Sequence, residues 1–276
     1  MITSRRGFVG GASAAALFAA SRSASAQKKY DDGATDKEIK VGHFCPYSGP
    51  ASAYGVIGQA HQVFWKMVND TGGINGRKIN FITLDDGYSP PKTVEVVRQL
   101  VEQEKVLLLF QTLGTPTNTA IHKYVNQKKV PHLLVSTGAS KWGKPKEFPW
   151  TMGFQPDYHT EGVIYAKHAL ANVKDAKFAV LMQNDDYGKD YFEGFKDGLG
   201  NEAGRIVKHV TYEVTDPTVD SQVIQMKDSG ANAFFAESGS LSVLATSSAT
   251  CHICVSSRMP LKVGMPVKRM PFLTFQ

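Results

Sequence analysis

Two stretches, the unbroken apolar run Val106–Phe110 (VLLLF) and the strand-like Lys177–Met182 (KFAVLM), do most to limit the folds open to this chain. A strand with one wet face alternates polar with apolar residues, whereas an unbroken run suits a strand covered on both faces. Around these runs the apolar period lengthens to about 3.6, the spacing of helices. Pro90-Pro91 starts one helix, with Val94, Val97, Leu100 and Val101 on one face. Further helices are predicted over Thr119–Lys128, Tyr158–Asn172, Tyr191–Leu199 and Val219–Ser229. Strands are predicted at Lys78–Leu84, Val130–Val135, Trp150–Phe154, Arg205–Tyr212 and Ala233–Ala236. Repeated strand–helix alternation with short connections means an α/β fold, doubly wound, with parallel sheets covered by helices on both faces. A chain of this length divides into two such lobes, and the periodicity breaks near Pro149–Pro156.

Ile39–Asn69 shows the repeating unit at its clearest. A short strand through Ile39, Val41 and Phe44 runs into Pro46, Ser48, Gly49 and Pro50, which enforce a loop. From about Ser52 a helical period follows through Val56, Gln59/Ala60, Val63, Phe64, Met67 and Val68. A loop between a strand's C-terminal end and a helix N-terminus is a common seat for small polar ligands, because free N–H groups and the helix dipole favour anionic groups. An ordinary βα connection has the same appearance, so this stretch alone does not assign a site.

The two ends read differently from the body. Ser4-Arg5-Arg6-Gly7-Phe8-Val9, a Gly/Ala-rich run to Ala20 and the small-x-small Ala24-Ser25-Ala26 form a twin-arginine export signal, residues 1–26, with the mature chain expected from Gln27. No later run approaches the ~18 apolar residues of a membrane-spanning helix. The net charge of +6 comes wholly from the ends: three arginines without an acid in 1–26, and four basic residues against Glu237 in 237–276. The body is neutral, which leaves no nucleic-acid footprint. Cys45 stands alone, and the single Cys251-x-x-Cys254 pair lacks the second ligand pair of a zinc site. Residues 237–276 are dense in Ser and Thr, hold no acid after Glu237 and show no lasting period. They are expected to be irregular, either as a disordered tail or, the preferred reading, because the reading frame is lost near Glu237–Gly239.

Signatures of catalysis are missing: no G-x-S-x-G elbow, no G-x-G-x-x-G or phosphate loop, and no H-E-x-x-H among the eight histidines. His159-x-Glu161 is the one candidate acid/base pair, at a helix start where Glu also suits the dipole. What recurs is a type of loop. Ser48–Gly55, Thr112–Thr115, Ser136–Ser140 and Asp185–Gly188 each follow a strand and are rich in hydroxyls, glycine or tyrosine. Strand ends of one sheet lie along one edge, so the first three can converge on a crevice. Hydroxyls and free N–H groups hold a carboxylate or ammonium without reacting, and tyrosine adds an apolar wall with a polar tip.

Taken in order, IKVG…SGPASAYG, DD…P, LGTPTN, VSTGAS and NDDYGKD resemble the branched-chain amino acid-type solute-binding proteins of ABC importers, which are type I periplasmic binding proteins. The resemblance runs from about Glu38 to Ala236. It implies a first lobe over 27–155, a partial second lobe over 156–236, and a clamshell that closes on a small solute without chemistry. It further implies a periplasmic subunit, itself a monomer, that delivers an amino acid, amide or small organic acid to an inner-membrane permease and needs no cofactor or metal. By position, Tyr54 lies against the ligand, Thr112, Gly114 and Thr115 form the loop that meets its carboxylate, Ser136, Gly138, Ala139 and Ser140 hold its carboxylate and ammonium groups, and Tyr187 closes over it. The family continues past the point where this chain loses the pattern, and Glu237 does not match its acidic second-lobe residue. A ligand-sensing module is an alternative on the same fold. An exported α/β enzyme using Tyr187, Asp185/Asp186 and His159 is a third reading, disfavoured by the missing nucleophile motif.

Overall fold

The computed structural model describes residues 29–236 and the strand 252–255. The first sheet contains β1 (Glu38–Cys45), β2 (Lys78–Asp85), β3 (Leu108–Phe110), β4 (His132–Val135) and β5 (Thr151–Gly153). Their order is β2-β1-β3-β4-β5, and every neighbouring pair is parallel. The connections are α1 (Gly55–Asp70), α2 (Pro90–Arg98), which runs on as a π turn over Gln99–Gln103, and α3 (Thr115–Gln127). Alternation along the strands decides what each helix covers. Phe44 and Leu109 are fully buried and join Val97 and Leu100 of the α2 segment and Ile121 and Val125 of α3 in one core.

The other face carries α1, and here the sequence pattern misleads. The stripe Val56, Val63, Phe64 and Met67, which sets the helical period, is 61, 71, 48 and 56 % exposed. Gly58, His61 and Trp65 lie inward instead. A Cβ on Gly58 would run into the Tyr47 hydroxyl, and the His61 and Trp65 rings meet Phe81 and Phe110 edge-on or tilted. Close approach and ring contacts therefore fix the rotation of α1, and the aliphatic stripe faces out.

The second sheet has the order β7-β6-β8-β9, built from β6 (Phe178–Gln183), β7 (Ile206–Tyr212), β8 (Ala233–Ala236) and β9 (His252–Val255). Both neighbours of β6 are parallel to it; β9 is antiparallel to β8. Its helices are α4 (Tyr158–Asn172), α5 (Asp186–Leu199) and α6 (Asp220–Asp228). All six residues of β6 are buried, the apolar Phe178–Met182 and the polar Gln183 alike. Phe178 and Val180 pack with Phe195 and Leu199 of α5 and Ala166 and Ala169 of α4. Ala179 and Leu181 face Val219 and Met226 on the side of α6. Glycine brings α4 and α5 into backbone contact: a Cβ on Gly162 would lie 2.5 Å from the Tyr191 carbonyl oxygen, and one on Gly194 would enter the His159 carbonyl.

Two helices start earlier than the sequence pattern suggests. The helix expected from Thr119 begins at Thr115, because Gly114 takes φ +101° as its cap and Pro116 fits the first turn. The helix expected from Tyr191 begins at Asp186, because the Asp185 side chain accepts the N–H groups of Tyr187 and Gly188. Both polar loops are thus partly the first turns of helices. The stretch 237–276, expected to be irregular, contributes β9; the export signal at 1–26, Glu237–Gly239 and Cys251 lie outside the described residues. Cys45 is buried and free. Among the described residues no helix is long and apolar enough to cross a membrane, and no group of His, Cys, Asp or Glu is placed to hold a metal ion.

Candidate functional site

The loops that leave the first sheet meet the starts of α4 and α5 along a seam. The Pro46–Gly49 turn is fixed by Asp85 at the end of β2. Its Oδ1 accepts the N–H groups of Tyr47 (2.9 Å), Ser48 (3.1 Å) and Gly87 (3.0 Å). Its Oδ2 accepts the Ser48 hydroxyl (2.6 Å) and Lys92 Nζ (2.9 Å). Burial pushes this carboxyl up, but Ser48, Lys92 and the backbone donors outweigh it and hold Asp85 well below the usual carboxylate range. A depressed folded-state pKa gives stability that is present above the ordinary carboxylate value and lost as pH falls toward the folded one. Asp85→Asn is expected to cost about 1–2 kcal/mol in urea unfolding at pH 7, with the gap to the wild type narrowing at pH 3. An equal gap at both pH values would assign the cost to shape rather than charge.

Tyr54 ends a short 3-10 turn, Ser52–Tyr54, and is partly buried. A charge on its phenol would disfavour charge on those of Tyr88 and Tyr158. Tyr88 follows Gly87 with φ +58°, and its ring lies against Gly114, where a Cβ would come within 2.6 Å of Cε2. Burial first, then the Asp185 charge, raises the Tyr88 phenol well above its ordinary pKa. Burial also raises Tyr54 and Tyr158. All three phenols therefore stay protonated, as hydrogen-bond donors, through the neutral range.

The β3–α3 and β4 loops divide between core and seam. Thr115 Oγ1 and Thr137 Oγ1 are 2.5 Å apart. Gly138 faces the Tyr158 ring: a Cβ there would lie 2.7 Å from Cδ1, and the Gly138 carbonyl accepts the Tyr158 N–H at 2.8 Å. Ala139 buries its methyl beside Val135 and Trp142, leaving only its backbone for the seam. Ser136 is half-buried and gives its N–H to the Thr112 carbonyl. Thr112 is turned away from the seam. Its buried hydroxyl donates to Asn118 Oδ1 (2.6 Å) and lies 2.6 Å from His132 Nε2, so its side chain holds the loop from inside.

From the second half come Asp185, Tyr187 and Asp190. The Asp185 carboxyl caps α5 and accepts Gln183 Nε2 at 2.5 Å; burial pushes its pKa up. Tyr187 meets Tyr158 and Tyr191 edge-on at 5.1 and 5.5 Å, while Tyr158 stacks on Tyr191 at 4.6 Å. Ser140 gives its N–H and hydroxyl to Asp190 at 2.7 and 3.0 Å, and Lys141 pairs with Asp186 at 2.6 Å. Ser140 is therefore already engaged by the facing helix. His159 and Glu161 do not form an acid/base pair: His159 Nε2 meets Asp197 at 2.8 Å, and Glu161 accepts the Tyr191 hydroxyl.

A cavity of about 460 Å³ opens beside the seam, lined by Gly138, Ser140, Trp142, Gly153, Gln155 and Asp157 among others. It shares the Ser136–Ser140 loop with the seam but not Tyr54, Gly114 or Tyr187. Of the residues read from sequence, the structure gathers Tyr54, Gly114, Thr115, Gly138, Ser140 and Tyr187 around one aromatic cluster. Tyr88, Thr137, Tyr158 and Asp190 join them unannounced. Tyr88 and Tyr158 had the same signal as Tyr54 and Tyr187, a tyrosine beside a chain turn, but Tyr88 was absorbed into the close of a strand and Tyr158 into the start of a helix.

Residues 38–247 match the family model described as periplasmic binding protein. The chain belongs to this family. As a periplasmic binding protein of type I and branched-chain amino acid type, it is 27 % identical over 206 residues to the Leu/Ile/Val-binding protein homolog 1 of Brucella abortus, an alignment covering 72 % of this chain and 53 % of the relative. The solute-binding protein of an ABC transporter from R. palustris, solved with benzoate, superposes with TM-score 0.66 at 22 % identity over 74 % of this chain and 56 % of that one. The branched-chain amino acid transporter substrate-binding protein of Streptococcus pneumoniae, solved with isoleucine, gives TM-score 0.62 at 24 % identity over 72 % and 57 %. The chain spans about half the length of the curated relatives it matches. The family match runs past Glu237–Gly239, where the sequence pattern was expected to stop. These relatives and neighbours are binding proteins rather than enzymes.

Proposed function

We propose that this periplasmic binding protein chain is the solute-binding subunit of an ABC importer. It holds a small carboxylate-bearing solute (a branched-chain or other amino acid, a related amide, or an organic acid such as benzoate) at the seam and passes it to an inner-membrane permease. The observation that carries this reading is the convergence of Tyr54, Gly114, Thr115 and Gly138 from the first half on Tyr187 from the second. The start of α3 offers backbone N–H groups and the positive end of a helix dipole to a carboxylate, the threonine hydroxyls and phenols add neutral donors, and the tyrosine rings supply apolar walls. None of these groups is a nucleophile paired with a base, so the site binds and releases its solute unchanged. Tyr54, Thr115, Gly138, Ala139 and Tyr187 are the contacts we assign to the solute; Ser140 ties its loop to Asp190, and Thr112 and Ser136 support the loops. From the Arg5-Arg6 pattern we assign export to the twin-arginine route, and we assign the subunit as a monomer.

The test is a thermal-shift and calorimetric screen of the chain from Gln27 onward against isoleucine, leucine, amides and benzoate. A solute at 100 times its dissociation constant stabilises the fold by about 2.7 kcal/mol, a shift of several degrees. A saturable shift with a calorimetric isotherm, and the same solute recovered unchanged, is the expected result. Turnover of the solute would restore the enzyme reading, and a cooperative melt that no panel member shifts would remove this ligand class.

A further inference from the structure

We propose that Ser140 and Lys141 of the first half clasp Asp190 and Asp186 of α5, and that this clasp holds the two halves together independently of solute. Its opening then sets how fast a solute enters and leaves the seam. The proposal rests on the solute-binding reading only for that second consequence. Three observations carry it.

The first is the pairing itself. Asp190 Oδ2 accepts the Ser140 N–H at 2.7 Å, and its Oδ1 accepts the Ser140 hydroxyl at 3.0 Å. One residue of the other half thus occupies both carboxylate oxygens, an arrangement that fixes direction as well as distance. One residue on, Lys141 Nζ donates to Asp186 Oδ2 at 2.6 Å and to Thr119 Oγ1 at 3.1 Å. That ammonium therefore joins α3 of the first half to α5 of the second. Every group in the clasp belongs to the chain, so its contacts do not wait for a solute. The second observation is the spacing. Asp186 and Asp190 stand four residues apart on one face of α5, where like charges repel unless each has a partner. An acid in the first turn, Asp186, suits the helix dipole, but Asp190 lies beyond that turn and finds its partner in Ser140.

The third is the mounting. Ser140–Gly143 is a single 3-10 turn, and its Trp142 is buried beside Val135 and Ala139. The Trp142 ring meets His122 of α3 edge-on at 4.9 Å, and Lys141 Nζ lies 5.8 Å from the indole. On the other side, Asp185 fixes the start of α5 by accepting the N–H groups of Tyr187 and Gly188. Both partners of the clasp are therefore held by their own half, and the halves separate here only when the contacts between them break. Those contacts lie at the surface, with the Lys141 and Asp186 side chains 28 and 46 % exposed. Exposed pairs are individually weak and screened by salt, so the clasp opens readily instead of sealing the seam.

Hydrogen exchange on the ligand-free full chain, resolved at the Ser140 amide, tests this. Asp190→Asn keeps the shape and removes the charge that accepts this N–H. The Ser140 amide is expected to exchange about 3–10-fold faster, the loss of one net hydrogen bond. Lys141→Met should speed the same amide, although the Lys141 ammonium bonds neither to it nor to Asp190. Amides in 121–125 and 178–182, inside the two cores, should stay unchanged. Raising salt from about 0.01 to about 1 M shortens the screening length from roughly 30 to 3 Å; this should speed Ser140 in the wild type and not in Lys141→Met. An unchanged Ser140 amide in either variant, a wild type indifferent to salt, or faster exchange in the cores overturns the proposal. Isoleucine and benzoate then serve as probes in stopped flow. Any probe that binds the wild type should associate and dissociate faster in Asp190→Asn by the factor seen in exchange. Its dissociation constant should not change, because the clasp forms with and without solute and so favours neither state. A weaker constant would make Asp190 or Ser140 a solute contact, and a tighter one would make Asp190 a rival of the solute for the Ser140 donors; either overturns the proposal. If neither probe binds the wild type, the solute reading fails for these probes, and the exchange comparison still decides the clasp.

Discussion

Gly194→Ala is expected to destabilise the protein by about 2–4 kcal/mol, against what helix propensity alone would give. In an ordinary helix interior the same change favours the fold by about 1 kcal/mol. Here α4 and α5 touch through backbone. A new methyl at Gly194 enters the His159 carbonyl, and the neighbouring contacts repeat the arrangement, with Gly162 against Phe195 N (2.8 Å) and Gly198 against Ala166 Cβ (2.7 Å). Backbone has no rotamer with which to retreat, so the helices must separate, and overpacking of this kind outweighs the propensity gain. Separation also shifts Tyr158 and Tyr187, on the first turns of these two helices, and Tyr191, on the second turn of α5. Thermal unfolding checks this beside Gly204→Ala, a position with open space around it. A stabilised Gly194→Ala would mean that α4 and α5 are not in backbone contact.

Tyr187→Ala is expected to weaken solute binding by about 1–3 kcal/mol, the usual cost of removing an aromatic anchor. The fold should survive, because the cap of α5 uses the Tyr187 backbone N–H and not its ring. Loss of the ring opens the side of the cluster that Tyr158 and Tyr191 otherwise close, so Tyr187→Phe, which keeps the ring, should lie near the wild type. Calorimetry with the solute identified in the screen gives both numbers. An unchanged dissociation constant in Tyr187→Ala would take this residue out of the site.

The sheets were legible because their signal is local. Burial on both faces writes itself into a continuous apolar run, and Phe178–Met182 of β6, all buried, shows this. Helix starts were less legible where a cap and a loop use the same residues. Gly114 and Asp185 end a loop and begin a helix at once, and only backbone geometry tells which. The rotation of α1 was hidden for another reason: period counts apolar residues, whereas a glycine and two rings that fit a particular surface decide what is buried. At the seam, the family resemblance pointed to Tyr54, Gly138 and Tyr187, yet it did not show that the Thr112 side chain turns inward to Asn118 and His132 or that Ser140 is held by Asp190. Those are facts of chain segments distant in sequence, and no window along the chain contains both partners.

The placement of the aromatic residues makes the molecule its own optical probe. Trp65, Trp142 and Trp150 all belong to the first half, and no tryptophan follows Trp150 in the sequence. Trp142 stands at the loop that faces α5, while Tyr158, Tyr187 and Tyr191 are gathered on the other side. Light absorbed by those tyrosines and re-emitted as tryptophan fluorescence must cross from one half to the other. Tyr47, Tyr54, Tyr88 and Tyr124 of the first half feed the same tryptophans, so a change in this emission, and not its absolute intensity, reports a change in the spacing of the halves without an attached dye.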